Sequence, residues 1–126
     1  MKKTSFECQD DFVSIDNKLY PCTVSIAMDL IGGKWKTVIL YHLKDASKRY
    51  NQLRKEMPGV TERTLSLQLK QLEEDGLVSR AVFGEKPPIK VIYSLTEFGR
   101  SCIPLLNSIL EWGNQIAELK GTFVKS

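Results

Sequence analysis

The stretch that most constrains this chain is VTERTLSLQLKQLEEDGLVSR, residues 60–80. Leu65, Leu69 and Leu72 recur at i, i+4 and i+7, which stacks them on one face of an α-helix. Thr61 stands at the N-cap position, and Val60 before it can close a hydrophobic staple on Leu65. Gly76 supplies a C′ stop after Asp75, and Leu77 to Arg80 read as the start of a strand. Opposite the leucines, at about 100° per residue, Arg63, Leu67, Lys70 and Glu74 point outward, flanked by Thr64, Ser66, Gln68 and Gln71. Side chains of this kind can reach base edges and phosphates in a major groove; the same pattern also describes an ordinary solvated helix face. The neighbouring segments decide between them.

Upstream, Tyr50, Leu53 and Met57 at i, i+3 and i+7 predict a helix capped by Ser47, and Pro58-Gly59 forms the turn into the Thr61 helix. Two short helices joined by a tight turn, the second polar on its outer face, make a helix-turn-helix. Before it, Trp35–Leu43 predicts a helix burying Trp35, Val38 and Ile39, with Leu40 and Leu43 widening the stripe. A shorter helix over Thr23–Ile31, with Ala27, Leu30 and Ile31 inward, is broken by Gly32-Gly33. No regular element is signalled over residues 1–20, which read as an arm able to pack on the body or on a partner.

Beyond Gly76 the period shortens to two. Val78, Arg80 and Val82 alternate with Ser79, Ala81 and Phe83, and Val91, Tyr93 and Leu95 share one side of a second run. A hairpin after a helix-turn-helix is a wing, and Gly84–Pro88 predicts a projecting loop with Lys86 and Lys90 on or near its tip. Those lysines suit backbone or minor-groove contact; a solvated loop is the plainer reading.

Thr96 predicts the cap of a last helix, in which Phe98, Cys102, Leu105, Ile109, Trp112, Ile116 and Leu119 follow a 4,3 spacing. A second line, Ile103, Leu106, Leu110 and Ala117, runs beside it. One small domain covers only one of these lines, so the other predicts a symmetric dimer; a helix folded wholly onto its own domain is the alternative. Pro104 cannot donate to the carbonyl of Arg100 and predicts a kink.

The whole is α+β and mainly α, divided as an arm (1–22), a winged helix-turn-helix (23–95) and a dimerisation helix with its tail (96–126). A chain of 126 residues, 42% hydrophobic and 26% charged, accommodates one domain with a real core. The longest apolar run falls far short of a membrane span, and the acidic, polar N-terminus lacks the apolar core of a secretory signal. Three cysteines without close spacing argue against a disulfide framework and for reduced thiols in the cytoplasm. The net charge of +3 is modest, but residues 34–55 hold seven cations against one acid, Asp45, just upstream of the reading helix.

Taken together, IGGKW (31–35), RYNQLRKEMPGVTERTLSLQLKQLEEDGLVSR (49–80), VIYSLTEFG (91–99) and LEWG (110–113) resemble the HxlR-type winged-helix transcriptional regulators of bacteria over roughly Cys22 to Leu119. The resemblance implies a homodimer on double-stranded DNA carrying a palindromic operator, with 61–75 as recognition helix, 78–95 as wing and the terminal helices at the interface. It further implies a sensing cysteine before the first helix, here Cys22. This chain reads Tyr20-Pro21-Cys22-Thr23, whereas the family order is Cys followed by Pro. Independently of the family, a thiol at a helix N-terminus meets the positive end of the dipole, which favours the reactive thiolate. Cys102, on the apolar seam, is either a second redox candidate or a small core residue.

Lys48 and Arg49 are the candidate phosphate clamps, and Thr61, Arg63, Thr64, Ser66, Leu67 and Lys70 the candidates for groove contact, joined by Lys86 and Lys90 on the wing. Arg63 suits a guanine and Leu67 a thymine methyl. Cys102, Leu105, Ile109, Trp112 and Ile116 are the candidate dimer contacts. No catalytic residue, cofactor or metal site is expected: the three cysteines and His42 lie 14, 20 and 60 residues apart, matching no zinc pattern. Three classes stay open, namely a sequence-specific DNA-binding regulator, read as a repressor; a winged helix used for protein contacts; and a thiol enzyme. Nothing in the sequence identifies a small-molecule effector.

Overall fold

The computed structural model describes residues 12–122 and 124. The greater part of the expected arm, with Cys8, and the last residues of the tail lie outside the described residues.

The chain order is β1 (Val13–Ile15), β2 (Lys18–Tyr20), α1 (Thr23–Ile31), α2 (Lys36–Leu43), β3 (Lys48–Arg49), α3 (Tyr50–Glu56), α4 (Glu62–Glu74), β4 (Val78–Phe83), β5 (Lys90–Leu95), α5 (Glu97–Arg100) and α6 (Ile103–Lys120). The β1–β2 hairpin corrects the expectation that residues 1–20 carry no regular element. Asp16 and Asn17 turn it with φ of 47° and 68°, the left-handed pair that a two-residue hairpin loop requires and that Asp and Asn tolerate best. Lys18 Nζ and Tyr20 Oη both donate to Asp29 Oδ2, at 2.5 and 2.6 Å, tying the hairpin to α1.

Helix α4 begins and ends as its sequence predicts. Thr61 Oγ1 accepts from the Thr64 amide at 3.1 Å, and Val60 and Leu65 are both buried. At the other end Gly76, at φ 81°, lets its own amide reach Glu73 O and the Leu77 amide reach Leu72 O, a Schellman closure. Leu65, Leu69 and Leu72 are sealed from solvent against Ile39, Leu40, Leu43, Leu53 and Leu106, so α4 is held by the centre of the core.

Strands β3, β5 and β4 form an antiparallel sheet in that order, with Lys48 opposite Tyr93 and Val78 opposite Leu95. The short β3 corrects the assignment of Ser47 as the α3 cap. Ser47 Oγ instead bonds Ser94 Oγ at 2.6 Å, and α3 starts at Tyr50 from Arg49, which makes no side-chain cap. In α1, Ile31 is buried and Leu30 packs on the core, but Ala27 is exposed rather than inward.

The last helix is two helices rather than one kinked rod. Thr96 Oγ1 caps α5 by accepting from the Gly99 amide at 3.0 Å and donates to Gly76 O at 2.5 Å. Ser101 Oγ and Cys102 Sγ then bond Phe98 O and Gly99 O, ending the turn. Pro104 falls in the first turn of α6, where its missing N–H leaves no gap in the ladder, and so it starts a helix instead of bending one.

Candidate nucleic-acid interface

Arg63, Ser66, Leu67 and Lys70 stand exposed on the outer side of α4. Leu67, half exposed in a row of polar neighbours, presents its methyls outward. Thr61 and Thr64 are committed differently: the Thr61 hydroxyl accepts from the Thr64 amide and donates to Thr64 Oγ1 at 2.9 Å, so this pair shapes the helix start. Tyr50 Oη donates to Glu62 O at 3.1 Å and meets Ser66 Oγ at 3.1 Å. Because the phenol has one proton, Ser66 is the donor in the second bond. The tyrosine thus fixes α3 against the first turns of α4, which sets the angle of the reading face.

Lys48 and Arg49 part company. Adjacent strand residues point to opposite faces, and Arg49 is exposed while the Lys48 side chain is only 16% exposed. Lys48 Nζ bonds Glu56 Oε1, which also sits 3.2 Å from His42 Nδ1. Lys48 is therefore corrected from a phosphate clamp to an internal ion-pair partner, and His42 forms a polar bridge between α2 and α3. The Lys48 ammonium, bonded to the Glu56 carboxylate, holds that carboxyl below its usual range against the opposing effect of burial; His42 adds to the lowering. A carboxylate whose folded pKa is depressed stabilises the fold above its unfolded value of about 4.3, and that contribution disappears as pH falls through the lower folded value. Glu56→Gln is accordingly expected to lower the urea midpoint at neutral pH, with the difference from wild type shrinking as the pH is taken below about 4.3. A difference that persists undiminished in acid assigns the loss to packing.

The surroundings add cations that sequence reasoning passed over. Arg80 on β4 joins Lys70, Ser66, Glu73 and Tyr93 around a concavity of about 300 Å³ between α4 and the wing. Its signal was a lone arginine on the otherwise apolar Val78/Val82 side of the strand. Asn51, Arg54 and Lys55 border a second concavity of about 350 Å³ on α3. Lys86 and Lys90 are exposed on the wing, Lys90 facing Phe83 across the ladder.

Cys22 is the buried N-cap residue of α1 and is disulfide-bonded, so the expectation of a reduced thiol there is corrected. Cys102 caps α6, packs against the core, and donates its S–H to Gly99 O at 3.0 Å. Burial pushes its thiol pKa up, which keeps it protonated and argues for a structural role.

On α6 only the N-terminal part of the apolar surface is covered. Leu106 is buried and Cys102 and Ile103 pack on the core, whereas Leu105, Ile109, Leu110, Trp112, Ile116 and Leu119 are 39–82% exposed. Trp112 alone is 65% exposed. No helix among the described residues is long and apolar enough to cross a membrane.

A helix pair with a polar second helix, followed by a hairpin, defines the winged helix-turn-helix class of DNA-binding domains. The chain belongs to the HxlR-like helix-turn-helix family, whose model matches residues 30–120. It is 50% identical to the HTH-type transcriptional regulator YdeP of Bacillus subtilis (strain 168), over 75% of this chain and 73% of that one. To YybR of the same organism it is 47% identical, over 80% and 83%. Among solved structures, the redox regulator HypR in its oxidized form aligns with a TM-score of 0.71 at 48% identity, covering 75% of this chain and 96% of that one. Its reduced form aligns at 0.72 and 45% identity, over 77% and 95%. The chain is a DNA-binding transcriptional regulator.

Proposed function

We propose that two copies of the chain, joined through the exposed line of α6, present their α4 helices to successive major grooves of a two-fold symmetric operator in the cytoplasm. The carrying observation is the apolar surface that α6 leaves uncovered beyond its contacts at Ile103 and Leu106. The exposed residues number too many aliphatic and aromatic side chains to leave in water, and the helix already uses its other side on its own body. In this reading 23–95 is the DNA-binding unit, 96–126 supplies the dimer contact, and 1–22 is an N-terminal arm. Half-sites then lie about 34–36 Å apart, and occupancy of the operator blocks transcription.

Arg63 reads a guanine, Leu67 a thymine methyl, and Ser66 and Lys70 neighbouring edges or phosphates, while Arg49, Arg54, Lys55, Arg80, Lys86 and Lys90 grip the backbone. Arg63→Ala is expected to cost about 1–3 kcal/mol in operator affinity and to relax preference at a single base pair. The measurement is binding to a panel of operators varied one position at a time. Equal loss on every sequence reassigns Arg63 to the phosphates. The slope of log K against log salt should be about −0.9 per phosphate neutralised; a salt-insensitive complex favours a winged helix used for protein contacts.

We further read DNA occupancy as responsive to thiol oxidation through Cys22. Two observations support this: its sulfur is engaged in a disulfide at the start of α1, and the relative HypR is a redox regulator known in oxidized and reduced forms. Operator binding measured before and after reduction, in wild type and Cys22→Ser, tests it; identical affinities in both redox states remove the role.

A further inference from the structure

A cavity of about 590 Å³ lies where the β1–β2 hairpin and α1 meet the C-terminal end of α4 and α5. That volume falls within the range of small-molecule pockets. Its walls are apolar: Ile26, Ala27 and Leu30 from α1, Ile15 from the hairpin and Phe98 from α5, with the Tyr20 ring beside them. Three carboxylates also line it, Asp16 from the hairpin turn and Glu74 and Asp75 from α4, and no lysine, arginine or histidine does. None of the three is in an ion pair among the described residues, and the neighbouring Lys18 is already bound to Asp29.

Glu74 and Asp75 are also misplaced for their own helix. They add negative charge to a C-terminus whose carbonyls are already negative, where a cation is the favourable neighbour. A charge arrangement unfavourable to the helix becomes favourable when a positive ligand sits against it. The apolar walls require that ligand to carry an apolar body, and the Phe98 ring adds cation–π attraction; the Tyr20 ring already has Lys18 Nζ 5.3 Å from its centroid.

We infer that this cavity binds amphipathic organic cations, an apolar group bearing an ammonium or phosphonium charge. Bound there, such a molecule bridges α1 and the hairpin to the end of the helix that reads DNA. The inference adds a ligand class to the function proposed above and is tested without DNA, so that its failure and the failure of that reading are separable.

The probe is tetraphenylphosphonium, titrated calorimetrically into the full-length protein. Saturable binding at one per protomer is expected. Asp16→Asn, Glu74→Gln and Asp75→Asn combined should weaken it at least tenfold; asparagine tolerates the left-handed backbone at position 16 as aspartate does. Ala27→Arg, an exposed helix position that accepts arginine, should abolish binding by placing a fixed cation in the wall. Tetraphenylborate, of the same shape and opposite charge, should neither bind there nor compete. Circular dichroism melting confirms that each variant is folded. Undiminished affinity in folded variants, equal binding of the borate, or no saturable binding overturns the inference.

Discussion

If the dimer proposed above is correct, replacing Ile109 and Trp112 together by glutamate is expected to convert the protein to single subunits and to lower its affinity for a two-fold operator by about 10²–10⁴-fold. The magnitude comes from bivalency. Once one recognition helix is seated, the second binds from a high effective concentration, and that advantage is lost when the subunits separate. Ile109 and Trp112 are 39% and 65% exposed and do not belong to the buried core of their own subunit, so the change leaves the monomer fold in place. Two carboxylates per subunit, pressed against the same groups of a partner, carry a desolvation cost that apolar packing cannot offset. Analytical ultracentrifugation at micromolar concentration, circular dichroism and operator titration together check the result. A variant that stays dimeric moves the interface away from α6. One that is monomeric yet binds a two-fold site as tightly as wild type removes the need for two linked recognition helices.

The second large effect is on stability. Leu69→Ala is expected to cost about 2–5 kcal/mol, a substantial part of the roughly 5–15 kcal/mol that holds a domain of this kind. Leu69 is 1% exposed at the middle of α4 and belongs to the cluster formed with α2 and α3. Those neighbours are fixed by other contacts and collapse only partly into the cavity left behind. The exposed Leu67→Ala, two residues earlier on the same helix, should change stability by no more than about 0.5 kcal/mol. Urea denaturation of the two variants makes the comparison. Operator affinity should divide them the other way, because Leu67 faces outward and Leu69 does not. A small loss at Leu69 would mean that the leucine row does not anchor the reading helix.

Much of the DNA-reading half was legible from residue spacing alone. The leucine row, Thr61 and Gly76 define α4 at both ends because each acts on its own helix within a turn. The alternation over 78–83 and 91–95 placed the wing for the same local reason. Positions that depend on partners distant in sequence were not legible. Lys48 and Arg49 are adjacent cations with the same local appearance, and only the pairing of β3 with β5 sends one inward to Glu56 and leaves the other exposed. The Asp16-Asn17 turn was a readable hairpin signal, but its strands are only three residues long and too short to show a period. Pro104 illustrates the ambiguity of a single residue, since the same missing N–H bends a helix interior and suits a helix start.

Residue order by itself determined the helix-turn-helix, the wing and the polar face of α4, since capping, turn chemistry and apolar period act over a few residues. Tertiary structure alone decided which apolar residues of α6 are covered, Leu106 and its neighbours at the start of the helix, and which are exposed. It also decided that Gly99 must be glycine: a Cβ there would lie 2.0 Å from Leu77 O, a contact set by the crossing of α5 over the start of β4. The acids ending α4 acquired their setting in the same way, when the hairpin and α1 brought Asp16 and an apolar wall beside them. In each case the deciding partner lies far along the chain, beyond the reach of forces that operate between neighbours.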